Sequence, residues 1–262
     1  MPGPLTASEW ADLSERFGLL RRDGPRPCRR SVRAADLLDR ETREQYLDWL
    51  GGYIGSPSRR VTASTLVKRY AYLAVSPALY AMSVYNKELM LRLEHCFLET
   101  YADPEHNPGG TKLPHLRLAD DRSTEPEPGR RDEWRERLVR ELFAGHVAPM
   151  LRALAETARI PPVVLWENVV VRIVPLFEDA LEQAGSRDAA GRIREDFRYL
   201  VREIPGELFG ERRNPLSGLV DPAGLESGDG CRQRLRRTCC LYYEISAEYC
   251  RRCPLTGASG RS

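Results

Sequence analysis

Hydrophobic residues recur every three to four positions along most of the chain, a spacing typical of amphipathic α-helices. Ser8 is the predicted N-cap of the first helix, Gly51-Gly52 marks the end of the second, and Pro149 is expected to kink or divide the fifth. The predicted helices cover residues 1–20, 34–50, 62–75, 76–85, 132–159, 163–181 and 188–202. The pattern therefore predicts a predominantly helical fold.

The helix over residues 163–181 is apolar on nearly every side, which predicts a central position in its domain. Prolines 161 and 162 precede it, and proline is favoured in the first turn of a helix. Trp166 and Asn168 are its unusual residues. Because an asparagine in apolar surroundings needs hydrogen-bond partners, Asn168 is expected to be satisfied by neighbours in the core.

Between residues 87 and 119 the spacing of hydrophobic residues changes to every second position, as in Leu89, Leu91 and Leu93. Another apolar stretch, 113–118, follows a segment rich in turn residues. This arrangement predicts a small antiparallel hairpin or meander.

Three segments show neither the helical spacing of hydrophobic residues nor the alternation typical of a strand. The arginine-rich residues 21–33 are interpreted as a solvated linker in preference to an anion-binding site. Residues 120–131 are predicted to be a linker, and residues 204–230 a long connecting loop. The predicted fold class is α+β, predominantly α-helical, with the helices packed on a small antiparallel sheet.

The predicted boundaries separate an N-terminal helical segment, a helical core that contains the sheet, and a C-terminal cysteine-rich segment. They lie at residues 1–54, 55–230 and 231–262, which are expected to pack as one compact unit. The division follows changes in composition, and the last segment holds most of the cysteines.

The charge balance argues against one class of function. Among 262 residues, 40 basic side chains face 38 acidic ones, a net charge of +2, which argues against a dedicated nucleic-acid binder.

No apolar run approaches the roughly 20 residues of a membrane span, and the N-terminus lacks a signal-peptide pattern, so a cytoplasmic protein is expected. There is no Gly-x-Gly-x-x-Gly fingerprint, so any nicotinamide or flavin is expected to belong to a partner.

Four of the seven cysteines lie within fifteen positions near the C-terminus: Cys239, Cys240, Cys250 and Cys253. Disulfides are disfavoured by the odd total and by the reducing cytosol, and adjacent Cα atoms lie only about 3.8 Å apart. Structural zinc suits the Cys-x2-Cys pair, but neighbouring cysteines point in different directions. A [2Fe–2S] cluster needs four thiolates over a wider site. The spacing leaves zinc and the cluster open.

The remaining cysteines and the histidines give weaker signals. Cys28 is interpreted as a bystander, no role is assigned to Cys96, and Cys231 is a possible substitute ligand. Three histidines lie in or near the predicted hairpin, with a spacing that matches no metal motif, and are expected at the surface. They are His95, His106 and His115.

The C-terminal motif reads Arg236-x-x-Cys-Cys-Leu-x-Tyr243 followed by Cys250-x-x-Cys-Pro254. It resembles the C-terminal signature of the bacterial ferric-siderophore reductases of the FhuF type. Residues 60–70 and 165–168 also resemble segments of that family, so the likeness covers roughly residues 55 to 257. This chain has nine residues between its cysteine pairs, where the family usually has ten.

The resemblance implies a [2Fe–2S] cluster held by the four clustered cysteines. It implies one-electron reduction of a ferric siderophore, of hydroxamate type, in the cytoplasm, with release of Fe(II). The electron donor is expected to be a ferredoxin or an NAD(P)H-dependent flavoprotein, and no catalytic acid or base is required. The candidate substrate-pocket residues are Arg60, Lys68, Trp166, Asn168, Arg237, Tyr242 and Tyr243. For Asn168 and Trp166 the likeness adds a second interpretation, contact with the cluster loop or substrate pocket.

Five arginines surround the predicted cluster: Arg234, Arg236, Arg237, Arg251 and Arg252. Cations near an anionic cluster favour its reduced form and raise its potential, so a tuning or docking role is preferred over solvated surface arginines. Two alternatives remain. One is an iron–sulfur sensor, although no helix-turn-helix or basic face is evident. The other is a zinc-stabilised siderophore-binding or siderophore-synthesis module without redox activity, since domains of siderophore synthetases are related to this family.

Overall fold

Helices make up most of the computed structural model, which describes residues 5–21, 28–101, 111–120, 122–220, 236–246 and 248–256. The predominance of helix expected from the hydrophobic spacing is confirmed. The α-helices of the described ranges are α1 Ala7–Phe17, α2 Arg40–Ile54, α3 Arg59–Tyr70, α4 Ser76–Tyr80, α5 Arg131–Leu142, α6 Ala148–Ala158, α7 Pro162–Glu182 and α8 Arg187–Arg198.

Several of these helices are joined without a break by π-helical segments. α3 continues through Ala71–Val75 into α4, and α5 continues through Phe143–Val147 into α6. In both places a proline occupies the first turn after the π segment, Pro77 in α4 and Pro149 in α6. Because proline has no amide hydrogen, the α-helical ladder cannot pass it unchanged. Pro149 thus divides the predicted helix by changing its hydrogen bonding.

Two predicted helix boundaries are wrong. The N-cap of α1 is Thr6, not Ser8, because Thr6 Oγ1 accepts from Glu9 N while Glu9 Oε2 accepts from Thr6 N, a reciprocal capping box. α2 continues past Gly51-Gly52 to Ile54 and ends at Gly55, which adopts the left-handed conformation with φ 72°.

The main sheet has four strands in the order β1 Leu19–Leu20, β5 His115–Leu118, β4 Cys96–Tyr101 and β2 Cys28–Arg33. β4 pairs antiparallel with both β5 and β2, so an antiparallel hairpin does lie within residues 87–119, but its first strand is β4 and not the predicted leucine stretch. β1 runs parallel to β5, so the sheet is mixed and the expected antiparallel sheet is wrong in this respect. β1 follows directly on α1, and no hairpin turn links it to β5 to impose an antiparallel pairing.

Strand β2 lies where a linker was predicted. Its arginine side chains stack on aromatic rings of α2: the Arg30 guanidinium lies 5.0 Å from the Trp49 ring centre and that of Arg29 4.9 Å from the Tyr53 ring centre. Such cation–π contacts let an arginine-rich strand cover an aromatic surface. Residues 22–27 of the predicted linker lie outside the described residues.

A second sheet of two strands joins β3 Glu88–Leu89 to β6 Ser123–Thr124. The leucine alternation over residues 89–93 does not form one strand, because a 3-10 turn, Leu93–His95, follows β3. β6 lies inside the predicted linker 120–131.

Helix α7 lies at the centre of the helical layer and packs against α3, α4, α6 and α8. Its central position was predicted and is confirmed. Three successive buried side chains in its second turn, Trp166, Glu167 and Asn168, combine an aromatic ring with two polar groups. The two polar groups face the C-terminal segment. Over the described ranges, no helix has both the length and the apolar character needed to cross a membrane.

Candidate functional site

Two short loops at the C-terminal end bring the clustered cysteines together. Cys239 and Cys240 lie on the first loop, just before a 3-10 turn, Tyr242–Glu244. Cys250 and Cys253 lie on the second, which is closed by a hydrogen bond from Cys253 N to Cys250 O. Arg236 N donates to Arg252 O at 3.0 Å, so the backbones of the two loops are joined directly.

Thiols of the two loops approach each other. The Cys250 thiol is within hydrogen-bonding contact of Cys240, and Cys239 interacts electrostatically with Cys240 and Cys253. Cys240 and Cys253 are buried, whereas Cys239 and Cys250 are partly exposed. All described cysteines are free thiols, so no disulfide forms among them.

Cys239 and Cys250 are poor anions unless a cation joins them, because the pKa of each thiol is raised. Burial raises the pKa of Cys239. Burial and the adjacent Cys240 raise the pKa of Cys250 to about 11. A metal group supplies the positive charge that keeps such thiols deprotonated, and binding it releases their protons.

Below the first loop lies a buried chain of hydrogen bonds from α3 and α7. Ser64 Oγ donates to Cys240 O at 2.8 Å. Asn168 Nδ2 donates to Ser64 O and Ser64 Oγ, and Asn168 Oδ1 accepts from Arg236 Nη2 at 2.7 Å. Asn168 therefore connects both helices to the loop and has its hydrogen-bonding capacity largely filled.

Glu167 holds the same loop from the neighbouring position on α7. Its carboxylate accepts from the backbone N–H groups of Arg237 at 2.7 Å and Thr238 at 2.8 Å, and from the Thr238 hydroxyl. Arg236 lies 3.7 Å away as an ion-pair partner. A buried carboxylate with several donors of this kind fixes the loop's backbone.

The sequence reasoning missed both Glu167 and Ser64. Each lies within a segment already singled out, Glu167 beside Asn168 and Ser64 within residues 60–70. The available signal for Glu167 was an acidic residue inside a helix that is otherwise almost wholly apolar.

Arg236 carries an unsatisfied donor next to the thiols. Its guanidinium is buried, its Nε donates to Thr238 O, and its Nη1 has no hydrogen-bond partner among the described residues. Its charge acts on Cys239. An unpaired guanidinium N–H beside a thiol can donate a charge-assisted hydrogen bond to an anionic sulfur.

The chemistry of the donor set suits an iron–sulfur group, because a [2Fe–2S] cluster takes four thiolates, two to each iron, over a wider site than a single ion. Arg236 would offer its unsatisfied N–H to such a group. Within the described ranges, no three His, Cys, Asp or Glu side chains lie close enough together to hold one metal ion.

A cavity of about 510 Å³ opens beside Cys250. Tyr242 and Tyr249 contribute exposed aromatic rings to its lining, and the Lys68 ammonium lies 5.1 Å from the Tyr242 ring centre. Burial lowers the pKa of Lys68, while the nearby Cys240 and Cys250 raise it. The cavity also has five cationic side chains, so it combines a cysteine, aromatic rings and positive charge.

Of the predicted pocket residues, Lys68 and Tyr242 line this cavity, and Asn168 lies beneath the loop. The side chains of Arg237 and Tyr243 are exposed on the first loop, where Tyr243 packs on Tyr249 with ring centres 5.7 Å apart.

The other two predicted residues lie elsewhere. Arg60 is exposed and lines a separate cavity between α2, α3 and the end of α6. Trp166 is buried between Phe143 and Phe209, and its Nε1 donates to Glu211. The structure therefore does not bring Arg60 and Trp166 to the cysteine loops.

One of the histidines, His115, differs from the expected surface position. His95 is partly exposed near Asp120, whereas His115 is fully buried in β5 against Tyr101. The surface prediction for His115 is wrong, because strand pairing places its ring against Tyr101 of β4 and next to Gly18, the residue that follows α1. His106, Cys231 and Arg234 lie outside the described residues.

A family model described as ferric iron reductase FhuF-like transporter matches residues 64–227, more than half of the chain. The match includes Ser64, Lys68, Glu167 and Asn168. It ends before the cysteine loops, which carry the C-terminal motif. No curated protein matches the chain.

Two solved aerobactin synthetases from a hypervirulent pathotype of Klebsiella pneumoniae share the fold. Aerobactin synthetase IucC aligns with TM-score 0.52 and 15% identity, over 82% of this chain and 47% of its own. ATP-bound aerobactin synthetase IucA aligns with TM-score 0.51 and 14% identity, over 81% of this chain and 46% of its own. The chain thus spans about half the length of these proteins, and the likeness extends to the fold alone.

Proposed function

The chain belongs to the family of FhuF-like ferric iron reductases, and from this premise we propose that it reduces ferric siderophores with electrons from a [2Fe–2S] cluster. Cys239, Cys240, Cys250 and Cys253 are the proposed ligands. The substrate is an Fe(III)–siderophore complex, expected to be of hydroxamate type, and the product is Fe(II). The observation that carries the proposal is the approach of thiols from the two loops, Cys240 with Cys250 and Cys239 with Cys253, beside an open cavity that Cys250 lines.

A bound cluster of this type supplies one electron at a time. The chain's own residues hold its ligands in place. Asn168 and Ser64 fix the backbone at Cys240, and Glu167 fixes the backbone at Arg237 and Thr238. Arg236 places its positive charge beside Cys239, where it stabilises added negative charge.

The reaction needs no general acid or base. Ferric ion is held tightly by the hard oxygen ligands of a siderophore, whereas ferrous ion is held far more weakly. One electron added to the bound Fe(III) yields Fe(II), which dissociates from the unchanged chelator. The cavity's task is to keep the complex near Cys250, which is partly exposed on its wall.

The electrons come from a separate donor, a ferredoxin or an NAD(P)H-dependent flavoprotein. The sequence has no dinucleotide fingerprint that would bind such a cofactor in this chain. The exposed rings of Tyr243 and Tyr249 give a donor access to the same end of the molecule. A cytoplasmic location is part of the proposal.

A siderophore-binding module without redox activity is the second candidate, because the chain shares its fold with two aerobactin synthetases. In that case the cysteines would hold zinc. The two candidates predict different metals and different spectra.

The deciding experiment is an absorption spectrum of anaerobically purified protein, with iron and zinc counted per chain. The proposal predicts bands between roughly 320 and 600 nm that bleach with dithionite, and about two irons per chain. Reduced protein should then convert a ferric hydroxamate to Fe(II), detected with a ferrous-specific dye.

The matched variants are Cys239→Ser, which should lose the visible bands, and Cys28→Ser, which should keep them. Cys28 lies on β2, where it contacts Arg30 O and Thr100 O. A colourless protein with one zinc per chain would exclude the reductase and favour the binding module.

A further inference from the structure

Two of the four clustered cysteines remain partly exposed, one on each loop. Of the clustered cysteines, Cys250 alone lines the cavity of about 510 Å³, and Cys239 is partly exposed outside that lining. Cys240 and Cys253 are buried. Because electron transfer slows steeply with distance, the two exposed thiols mark the places where a redox partner can come closest to the proposed cluster.

Exposed apolar side chains are concentrated on the same loops. Among the described residues, six large hydrophobic side chains are exposed, and four of them lie within residues 242–255. Tyr242 and Tyr249 line the cavity, whereas Tyr243 and Leu255 do not. Exposed apolar residues are ordinary when they are scattered, but a group of them beside a candidate reaction site is typical of a contact surface.

The exposed part of the first loop forms a surface of its own, which consists of Arg237, Cys239 and Tyr243 and is called the Cys239 surface below. The side chains of Arg237 and Tyr243 are exposed, and Tyr243 lies close enough to Cys239 to interact with it electrostatically. The Tyr243 ring packs on that of Tyr249, with ring centres 5.7 Å apart, so this surface adjoins the cavity without being part of its lining.

We propose that a ferredoxin docks on the Cys239 surface while the ferric siderophore occupies the cavity at Cys250, so that both partners bind at the same time. The inference rests on the proposed function, because it takes the four cysteines to hold the cluster and the cavity to hold the substrate. One electron enters from reduced ferredoxin and one leaves to the bound Fe(III). Each Fe(II) that is released therefore consumes one reduced ferredoxin, and the chelator is unchanged.

A small carrier protein suits this surface better than a second copy of the chain does. Tyr243 is its one large exposed ring, and an aromatic side chain contributes at most about 250 Å² of contact area. A stable interface buries roughly 800 Å² on each partner, whereas weak electron-transfer complexes bury less.

The Cys239 surface is also fixed before a partner arrives. Glu167 accepts from the backbone N–H groups of Arg237 and Thr238, which ties the loop to α7. A preorganised surface loses little conformational entropy on docking, which lets a small contact area suffice for a transient complex.

The first test uses oxidised holoprotein, a bacterial [2Fe–2S] ferredoxin and a gallium trihydroxamate, since Ga(III) resembles Fe(III) in charge and size but is not reduced under the same conditions. Calorimetric titrations with oxidised ferredoxin, with and without saturating gallium complex, should give Kd values within about twofold of each other, as expected for independent sites. In steady-state assays the gallium complex should compete with the ferric trihydroxamate and leave the KM for ferredoxin unchanged.

Neighbouring tyrosines give the matched variants. Tyr243→Ala should raise the KM for ferredoxin on the order of tenfold, with a smaller effect on the KM for the ferric complex. Tyr242→Ala, which changes the cavity lining, should do the reverse. Leu38→Ala is the control and should change neither constant, because Leu38 has the same exposed fraction as Tyr243, 41%, but lies in the 3-10 turn Ala34–Leu38.

Iron counted per chain shows whether each loop variant keeps its cluster. Arg237→Gln changes an exposed side chain of the same surface and should also raise the KM for ferredoxin, so it replaces Tyr243→Ala if that variant loses iron.

Competition between the gallium complex and ferredoxin would overturn the proposal, as would Tyr242→Ala and Tyr243→Ala variants that change the same KM, because donor and substrate would then share one surface. Absence of ferredoxin binding would overturn it too. A dimer that dissociates in Tyr243→Ala would assign the surface to a second copy of the chain instead.

The proposed function is judged separately, by reduction of the ferric complex with dithionite in place of ferredoxin. Reduction by dithionite together with competition between the partners would remove the two-surface proposal alone. Ferredoxin binding that is independent of gallium, without any ferric reduction, would remove the reductase and leave the docking surface.

Discussion

Asn168 Oδ1 accepts a hydrogen bond from Arg236 Nη2 at 2.7 Å, and this bond joins the central helix α7 to the start of the cysteine loops. Both side chains are buried, and Asn168 also donates to Ser64 on α3. A loop that carries two cysteines is therefore fixed to two helices of the core.

Asn168→Ala should lower the free energy of unfolding by about 1–3 kcal/mol, because it leaves a buried guanidinium and the Ser64 hydroxyl with fewer partners. Iron retention during dialysis should fall in parallel. Urea unfolding and iron analysis measure the two effects. Gln45→Ala, on the exposed face of α2, is the control and should change stability by less than about 0.5 kcal/mol. A similarly small change in Asn168→Ala would contradict this account.

Arg236→Gln should lower the reduction potential of the cluster by on the order of 50 mV, because a cation beside Cys239 favours the more negative reduced state. Spectroscopic redox titration measures the shift. Arg236→Lys should restore part of the potential. Arg237→Gln changes an exposed side chain of the same loop and should shift the potential less. An unchanged or higher potential in Arg236→Gln would refute the tuning role.

The protein should lose stability as the pH falls from about 6.5 to 4. Burial lowers the pKa of His146 to about 4, and the neutral ring is held between the Tyr70 hydroxyl and Leu91 O. In that window the unfolded chain binds a proton that the folded chain does not, so the free energy of unfolding decreases with acid. Burial and the Arg69 charge lower the pKa of His115 to about 4, which acts in the same direction.

Urea unfolding at about pH 7, 5.5 and 4.5 measures this slope, which should amount to a few kcal/mol in all. His146→Gln removes one titrating group and should flatten the slope. Gln45→Ala, which changes an exposed residue of α2 that does not titrate, should leave it unchanged. Parallel slopes for the wild type and His146→Gln would show that His146 is not responsible.

Gly206→Ala should destabilise the protein by at least about 1–3 kcal/mol. A Cβ at residue 206 would lie 2.5 Å from backbone atoms of Arg213, too close without movement of the main chain. Gly191 gives the matched control, since it lies in α8 with open space around it. Gly191→Ala should stabilise by about 0.5–1 kcal/mol, as alanine favours helix over glycine. Thermal melts that shift both variants in the same direction would contradict the prediction.

The features that could be predicted from the sequence are those that depend on residues close together along the chain. The helices, the central position of α7 and strand β5 follow from side-chain spacing, which reports the periodicity of a single element. The partner of β5 was placed at the leucines of residues 89–93, whereas it is β4. The grouping of the C-terminal cysteines is equally local, because only nine residues separate the two pairs. The ends of α1 and α2 were missed where competing caps lay within a few residues of each other.

Long-range packing decided the rest. The parallel pairing of β1 with β5 joins residues almost a hundred positions apart, and no local pattern encodes it. Asn168 meets Ser64 across 104 positions, and Ser64 meets Cys240 across 176. Lys68 likewise reaches the cavity at Cys250 because α3 packs against the turn Tyr242–Glu244 that follows the first cysteine pair. The chain's spacing and composition determine its elements and ligand types, whereas burial of α7 against α3 determines which polar groups surround the thiols.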